Sequence, residues 1–254
     1  MNHEDSYICE HGKEIVNEHY VSIQDSCLLC YQKRIAGYAQ RQLDAKFKNA
    51  LITPKFMQCS FDNYIVKTDG QKKAVEYCRE YAMNFKSSIF DKTVKEGIAR
   101  MDGTGESDKD DYTVRPINDI VLIGGTGTGK DHLSAAIAKE IIKKGLRCLI
   151  IDAEKLHRRI RDNYKGDRSE QEILDELAAI DFLIINEIGV KTSEAQAAVI
   201  GELCNDRIND LKPTGYVGNI RLPELRDKLG ERAFDRIVKK DKSNVVIFDW
   251  ESYR

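Results

Sequence analysis

The sequence predicts an α/β fold in which a parallel sheet is covered by helices on both faces, preceded by a small N-terminal region. Three observations support this prediction. In the C-terminal half, short continuous apolar runs alternate with segments of helical periodicity. A glycine-rich turn lies between the first of these runs and the helix after it. Cysteines and histidines are concentrated in the first thirty residues, ahead of a basic helical stretch.

The elements follow from these patterns in chain order. Helical periodicity covers about 31–50, where Thr53-Pro54 ends it, and then about 70–85. An acidic, glycine-rich stretch at 102–111 is typical of a surface loop. Beyond it we expect strands at 120–123, 148–151, 182–185, 216–217 and 245–248, and helices at 129–144, 154–164, 169–179, 193–211 and 222–240. The expected divisions are an N-terminal region 1–50, a linker with a helix and the acidic loop 51–118, and a C-terminal domain 119–254.

The composition is that of a soluble globular chain, with 41% apolar and 32% charged residues among 254. No apolar run reaches the roughly 20 residues that span a bilayer, and the polar N-terminus has no signal-peptide core. We therefore expect a cytoplasmic protein with no membrane partner. The net charge of −2 gives no overall attraction to nucleic acid. Seven cysteines, an odd number, favour metal ligation and buried thiols over paired disulfides.

The first thirty residues contain a metal-binding pattern. Cys9 and His11 precede a knuckle formed by Cys27 and Cys30, and three thiolates with one imidazole can complete a tetrahedral, structural zinc site. Alternating apolar residues between 14 and 26 suffice for a small hairpin. The alternative is a reduced cysteine pair at a helix start with an unrelated His11. The basic helix after it could dock on a partner, touch nucleic acid or present a solvated face.

A phosphate-binding loop is the most specific motif in the chain. The run 120–123 leads into Gly124-Gly125-Thr126-Gly127-Thr128-Gly129-Lys130, which opens a helix. Glycines let several N–H groups face one phosphate, and the helix N-terminus adds a partial positive charge. We therefore expect Lys130 to reach the outer phosphates of a nucleotide. The other residues assigned to nucleotide binding are Gly125, Thr126, Gly127, Thr128, Gly129, Asp131 and His132. The alternative is a structural turn with a solvated lysine.

Two residues depart from the usual magnesium ligands of such a site. The position after Lys130 usually carries a hydroxyl that binds magnesium, and it is Asp131 here. The run 182–185 ends at Asn186-Glu187, where nucleotide hydrolases hold magnesium and the catalytic base. Glu187 is placed to polarise the attacking water, whereas Asn186 stands where an aspartate is expected. We hypothesise that Asp131 supplies the charge that Asn186 lacks, so that magnesium is needed even for nucleotide binding. The competing interpretation is a site that binds nucleotide but hydrolyses it poorly.

Residues 119–254 resemble the AAA+ ATPase domain of DnaC-type replicative helicase loaders, which are also similar to IstB transposition helper ATPases. The zinc-type start is similar to that of some phage and prophage members. The matching stretches are Lys130-Asp131-His132-Leu133, Asn186-Glu187-Ile188-Gly189-Val190, Pro213-Thr214-Gly215 with Asn219, Leu229-Gly230-Glu231-Arg232-Ala233-Phe234-Asp235-Arg236, and Phe248-Asp249-Trp250-Glu251-Ser252-Tyr253-Arg254. Cys59-Ser60-Phe61-Asp62-Asn63-Tyr64 resembles the segment that leads into that domain.

The resemblance implies a P-loop AAA+ parallel sheet, ATPase activity, and ATP with Mg²⁺ as cofactors. It puts Asn219 at the sensor position that contacts the terminal phosphate and the water. Arg236 matches the arginine finger given to a neighbouring subunit's nucleotide, with Arg232 as second choice, because a guanidinium stabilises the charge of the transferring phosphoryl group. Arg254 matches the second sensor arginine.

The resemblance also implies partners. The family self-associates through the AAA+ domain, docks a hexameric DnaB-type helicase with its N-terminal region and contacts single-stranded DNA. The DNA contact corresponds here to Arg158, Arg159, Arg161 and Lys165. A solvated helix face is the alternative for that segment.

We therefore expect an ATP-dependent loader that places a replicative helicase on single-stranded DNA during replication initiation, with a small zinc-binding and helical N-terminal region before the ATPase domain. One alternative is a transposition helper ATPase of the IstB type. Another is a nucleotide-binding adaptor with little hydrolysis, which Asp131 and Asn186 favour. A third is a zinc nucleic-acid-binding module with a vestigial ATPase, which the acidic composition disfavours.

Overall fold

The computed structural model describes residues 6–8, 14–16, 28–85, 119–162, 169–188 and 194–253, with the backbone alone at 6–8, 14–16, 28–34, 161–162 and 194–196. Contacts divide the chain into two compact units, Met1–Lys48 and Asn49–Arg254, each considered by itself. Among the helices in these ranges, none has the length and apolar character that crossing a bilayer requires.

The first unit contains a short antiparallel pair of strands and most of a long helix. Strand β1 (Ser6–Ile8) pairs with β2 (Glu14–Val16), and helix α1 covers Leu28–Asn49. The sequence placed a hairpin between 14 and 26, whereas the pair begins before that stretch. Cys9, His11 and Cys27 lie outside the described residues, and Cys30 lies in α1 with only its backbone described. The zinc site therefore stays a prediction.

The second unit holds a five-stranded sheet. In the chain order, helices precede its first strand and separate each strand from the next. Its elements are α2 (Pro54–Met57), α3 (Asp69–Asn84), β3 (Ile120–Gly124), α4 (Lys130–Lys143), β4 (Cys148–Asp152), α5 (Ala153–Asp162), α6 (Glu170–Ala178), β5 (Phe182–Asn186), α7 (Glu194–Asn209), β6 (Thr214–Gly218), α8 (Leu222–Leu229), α9 (Glu231–Ile237) and β7 (Val245–Phe248).

The sheet has the order β4-β5-β6-β3-β7, and every pairing within it is parallel. The strands β3, β4 and β5 begin with continuous apolar runs, as expected where both faces of a sheet are covered, and the residues of β3 from Ile120 to Ile123 are each at most 1% exposed. The predicted parallel α/β sheet is thus confirmed. All five carboxyl ends meet at one edge, which is where parallel α/β sheets bind ligands.

The segment before the sheet packs into the same core. Tyr81 and Phe85, at the end of α3, lie 5.9 and 5.0 Å from the ring of Phe182 at the start of β5. Lys144 adds a polar tie, because its Nζ donates to the carbonyl oxygen of Ala82 at 2.8 Å. Residues 54–85, which the sequence grouped with a linker, therefore belong to the unit that contains the sheet.

One predicted helix is two. The sequence indicated helical structure over 222–240, but α8 ends at Leu229 and α9 begins at Glu231. Gly230 lies between them with φ of +78°, in the left-handed region that interrupts helical hydrogen bonding. The arginine-finger candidate Arg236 therefore lies on a separate short helix, α9.

A buried polar network ties the amino ends of the strands together. Asp119, just before β3, accepts a hydrogen bond of 2.7 Å from the N–H of Thr214, the first residue of β6. The Thr214 hydroxyl accepts one of 2.8 Å from Arg207 Nε, and the rest of that guanidinium donates to the carbonyl oxygens of Leu177, Ala178, Ile180 and Pro213. Burial raises the pKa of Asp119 to about 7, although the Thr214 N–H and Arg207 act to lower it.

Candidate functional site: a nucleotide-binding edge

The glycine-rich loop joins β3 to α4 at the carboxyl edge of the sheet. Gly124 has φ of +142°, and a Cβ on it would lie 2.1 Å from the carbonyl oxygen of Phe248. The next N–H, that of Gly125, donates to the same oxygen at 3.2 Å. The loop therefore starts in close contact with the end of β7, and this approach requires glycine at 124.

Lys130 lies inside the loop that it follows. The residue is 5% exposed, and its Nζ donates to the carbonyl oxygens of Gly124 at 3.1 Å and Gly125 at 2.5 Å and to Thr128 Oγ1 at 3.3 Å. Burial lowers the pKa of Lys130, and the charge of Asp131 acts in the opposite direction. The structure thus keeps a cation among the loop backbone groups, where the sequence expects the outer phosphates to be bound.

The two residues after Lys130 differ in their surroundings. Asp131 lies in the first turn of α4, partly exposed, and its carbonyl oxygen accepts a hydrogen bond of 3.0 Å from Ser134 Oγ. His132 Nε2 lies 2.8 Å from the carbonyl oxygen of Ser60, and its ring stands edge-to-face against Tyr64 at 5.2 Å. His132 is thus engaged with the segment before α3, and its assignment to nucleotide binding stays a prediction.

Strands β4 and β5 end side by side with polar residues. Asn186 pairs in register with Asp152, and its Nδ2 donates a long hydrogen bond of 3.5 Å to Asp152 Oδ1. Asp152 also forms an ion pair with Lys155 in the first turn of α5. Sequence reasoning missed Asp152, although the signal was available: it ends an apolar run just as Asn186 does, and the run belongs to the neighbouring strand.

Glu187 and Asn219 follow two adjacent strands. Glu187 is exposed directly after β5 and has φ of +56°, a conformation that costs a non-glycine residue roughly 1–3 kcal/mol and is found preferentially at functional sites. Asn219 is exposed directly after β6, which lies between β5 and β3. The topology therefore brings the candidate catalytic base, the candidate sensor and the loop with Lys130 to the same edge.

The candidate arginines and the DNA-contact residues lie on surface helices. On α9, Arg232 and Arg236 are exposed, and Arg236 Nη1 donates to Asn205 Oδ1 at 2.7 Å. On α5, Arg158 is exposed and Arg159 lies 3.4 Å from Glu176. Three further predictions fall beyond the described side chains: Arg161 has only its backbone described, and Lys165 and Arg254 lie outside the described residues.

The oxygen donors at this edge fit Mg²⁺ bound together with a nucleotide. In the described part of the chain, His, Cys, Asp and Glu side chains do not gather in groups of three that could hold a metal by themselves. Magnesium usually takes one or two carboxylates, with substrate phosphates and waters completing an octahedron. The Asp131 carboxylate and the Asn186 amide oxygen are donors of that hard type, so the residues present suit this cation.

Comparison with known proteins bears on the family and the fold of this chain. The family described as IstB-like ATP binding protein matches residues 108–254. The replicative helicase loader DnaC of Escherichia coli K12 is 32% identical over 215 residues, which are 84% of this chain and 76% of that protein. The crystal structure of the DnaC helicase loader superposes with a TM-score of 0.60 at 20% identity, covering 78% of this chain and 100% of that one. The crystal structure of DnaI gives 0.57 at 18% identity, covering 80% and 94%.

Proposed function

Because this chain belongs to the family of IstB-like ATP binding proteins, we propose that it is an ATP-dependent loader of a DnaB-type replicative helicase. The observation that carries the proposal is its 32% identity with a replicative helicase loader over 84% of the chain. The fold shared with the crystal structure of the DnaC helicase loader is consistent with it. ATP binding would order the subunits on the helicase and single-stranded DNA, and hydrolysis would release the helicase.

In this proposal the glycine-rich loop and α4 bind the nucleotide. The loop N–H groups and the amino end of α4 offer donors and a partial positive charge to the phosphates, and Lys130 adds a full charge from within. Bound Mg²⁺ would neutralise phosphate charge, held on the protein side by Asp131 and Asn186. Glu187 orients the attacking water, and Asn219 contacts the water and the terminal phosphate.

The arginines complete this site in an assembly. Arg236 is exposed on α9, and its hydrogen bond to Asn205 is a surface contact that costs little to break. It can therefore turn towards the nucleotide of a neighbouring subunit, with Arg232 as the alternative finger. Arg254 is proposed as the second sensor.

The charge exchange between Asp131 and Asn186 predicts how this ATPase responds to substitution. If Asp131 replaces the missing carboxylate, Asn186→Asp adds a charge that the site does not need, and the steady-state ATPase rate should not rise. Asp131→Asn should reduce it, and the double exchange should restore activity. A large gain in the Asn186→Asp variant would instead show that the native site is weakened, which favours the adaptor function.

The remaining assignments complete the proposal. The region 1–50 would bind the helicase, stabilised by zinc on Cys9, His11, Cys27 and Cys30. Residues 51–118 would lead from it into the ATPase domain 119–254, with 54–85 part of the same compact unit as the sheet. Single-stranded DNA would run past Arg158, Arg159, Arg161 and Lys165, with phosphate contacts from their cations. The protein would act in the cytoplasm and self-associate through the ATPase domain.

Partner capture from the native cell tests this function. The full chain is used as bait with ATP, without nucleotide, and as the Lys130→Ala variant, which removes the buried ammonium group from the loop. Recovery of a replicative helicase that depends on both ATP and Lys130 is the expected result. Recovery of a transposase in place of the helicase would favour the transposition helper. If capture of the helicase depends on ATP but a parallel steady-state ATPase assay of the same protein detects no hydrolysis, the adaptor function is favoured.

A further inference from the structure

Two carbonyl oxygens of the phosphate loop accept hydrogen bonds from residues at both ends of the second unit, and we call the side of the loop that carries them its rear. Tyr64 lies between α2 and α3, and Trp250 and Tyr253 follow β7. We call these three residues the rear anchor. The Tyr64 hydroxyl and the Trp250 Nε1–H both donate to the carbonyl oxygen of Thr128, each at 2.9 Å. The N–H of Tyr253 donates to the carbonyl oxygen of Gly127 at 3.0 Å.

The anchor is also tied together within itself. The rings of Tyr64 and Tyr253 pack edge-to-face at 5.8 Å, and the Tyr253 hydroxyl donates to the carbonyl oxygen of Ile65 at 2.6 Å. Tyr64 fits tightly against the loop, since a Cβ on Gly129 would lie 2.5 Å from its hydroxyl oxygen. Burial raises the pKa of Tyr64 far above its usual value, so the phenol stays protonated and remains a donor throughout the working pH range.

The direction of these bonds matters for the phosphate side. A trans peptide is planar, so its C=O and N–H point in opposite directions. The carbonyl of Gly127 shares a peptide with the N–H of Thr128, and the carbonyl of Thr128 shares one with the N–H of Gly129. Fixing both carbonyls at the rear therefore turns both N–H groups away from the anchor, into the concave side of the loop where a phosphate is cradled.

We propose that Tyr64 and Trp250 are positioning residues that hold the phosphate loop in its anion-binding conformation by fixing the carbonyl of Thr128. This inference rests on the proposed ATP binding and deepens it. The anchor excludes the flipped peptide that would point a carbonyl oxygen at a phosphate. By linkage, a bound nucleotide stabilises the packing of Tyr64 and Trp250 on the loop as strongly as these residues stabilise nucleotide binding.

The test compares two tyrosines that make the same kind of bond. Tyr64→Phe removes the hydroxyl at the loop, and Tyr77→Phe removes a hydroxyl that donates to the carbonyl oxygen of Ser243 at 2.8 Å, away from the loop. Titration with a non-hydrolysable ATP analogue and Mg²⁺ measures the Kd of each full-length variant. Hydrogen exchange of peptides covering 124–130, recorded without nucleotide, measures the order of the loop directly.

We expect Tyr64→Phe to weaken nucleotide binding about fivefold and to speed exchange in the loop, since one net hydrogen bond is lost. Tyr77→Phe should leave the Kd and the loop exchange unchanged. It should lower the melting temperature no more than Tyr64→Phe does, because its hydrogen bond to Ser243 is exposed to solvent. Trp250→Phe should act like Tyr64→Phe, and the double variant should weaken binding on the order of thirtyfold.

Two outcomes overturn different conclusions. If Tyr64→Phe and Trp250→Phe change the Kd and loop exchange no more than Tyr77→Phe does, the anchor is merely structural and the inference is wrong. If the wild-type chain binds no nucleotide, the proposed function fails. The exchange rates measured without nucleotide then still decide whether the anchor orders the loop.

Discussion

Replacing Asn186 by aspartate probes the strand ends of β4 and β5 most directly. In the native chain the Asn186 amide donates to Asp152 Oδ1 at 3.5 Å. The substitution turns this donor into a second carboxylate at the same distance. Two unit charges 3.5 Å apart repel by about 5 kcal/mol at an effective dielectric constant of 20 and by about 1 kcal/mol in water.

The expected loss of stability lies within this interval. Both side chains are partly exposed, and Lys155 already pairs with Asp152, so solvent and this cation screen part of the repulsion. We expect Asn186→Asp to lower the free energy of unfolding by about 1–3 kcal/mol at pH 7.5 without divalent cations. At pH 5 the difference should shrink, because repulsion raises the pKa of the pair and one carboxyl takes up a proton.

Urea unfolding followed by circular dichroism, in EDTA at pH 5 and 7.5, provides the measurement. The control is the double variant Asp152→Asn with Asn186→Asp, which has one carboxylate and one amide again and should recover most of the loss. Equal stability of wild type and Asn186→Asp at pH 7.5 would refute the contact between the two strand ends. An Asn186→Asp variant stabilised at that pH would refute it as well.

Three further substitutions test other parts of the structure. The pKa of Asp119 is raised to about 7 in the folded state, so between about pH 4 and 7 the folded chain binds more protons than the unfolded one. The free energy of unfolding of the wild type, relative to that of Asp119→Asn, should therefore fall by about 1.4 kcal/mol per pH unit as the pH rises over this range. Urea titrations of both chains at several pH values measure this difference. Gly129→Ala places a Cβ against the Tyr64 hydroxyl at φ of +96°, and should lower the free energy of unfolding by about 1–3 kcal/mol and abolish binding of the ATP analogue. Arg236→Ala removes an exposed bond to Asn205, so calorimetry should show stability within about 0.5 kcal/mol of wild type and an unchanged nucleotide Kd, while ATPase activity of the assembled complex is lost; equal activity would dismiss Arg236 as the finger.

Most strands of the sheet could be predicted because a strand that is buried on both faces is a continuous apolar run, which is visible in the sequence. The runs beginning at 120, 148, 182 and 245 each became a strand with that starting residue. The loop was equally predictable, since glycines followed by a lysine at a strand–helix junction have few other uses. Helix boundaries were less so: Gly230 reads as a tolerated interruption in the sequence, and only its positive φ shows that the helix ends there.

The contacts that complete the site depend on distant parts of the chain. Asp152 gains its importance from lying in register with Asn186, which requires knowing that β4 and β5 are neighbours. In the sequence, nothing distinguishes Tyr64 and Trp250 from other aromatic residues. Only the structure shows that both donate a hydrogen bond to the same carbonyl oxygen. This shared contact cannot be predicted from periodicity or spacing, because one donor precedes Thr128 in the sequence and the other follows it at a long distance.

The bond from Trp250 to Thr128 spans 122 residues, and β7, the strand beside β3, also comes last in the sheet. During synthesis, therefore, the loop and Lys130 are made after Tyr64 but well before Trp250, Tyr253 and β7. The nascent phosphate loop therefore lacks the Trp250 donor and its neighbouring strand β7 until the last part of the domain has been made. The loop would thus reach its full affinity for ATP only once residues 245–253 have emerged and packed against it.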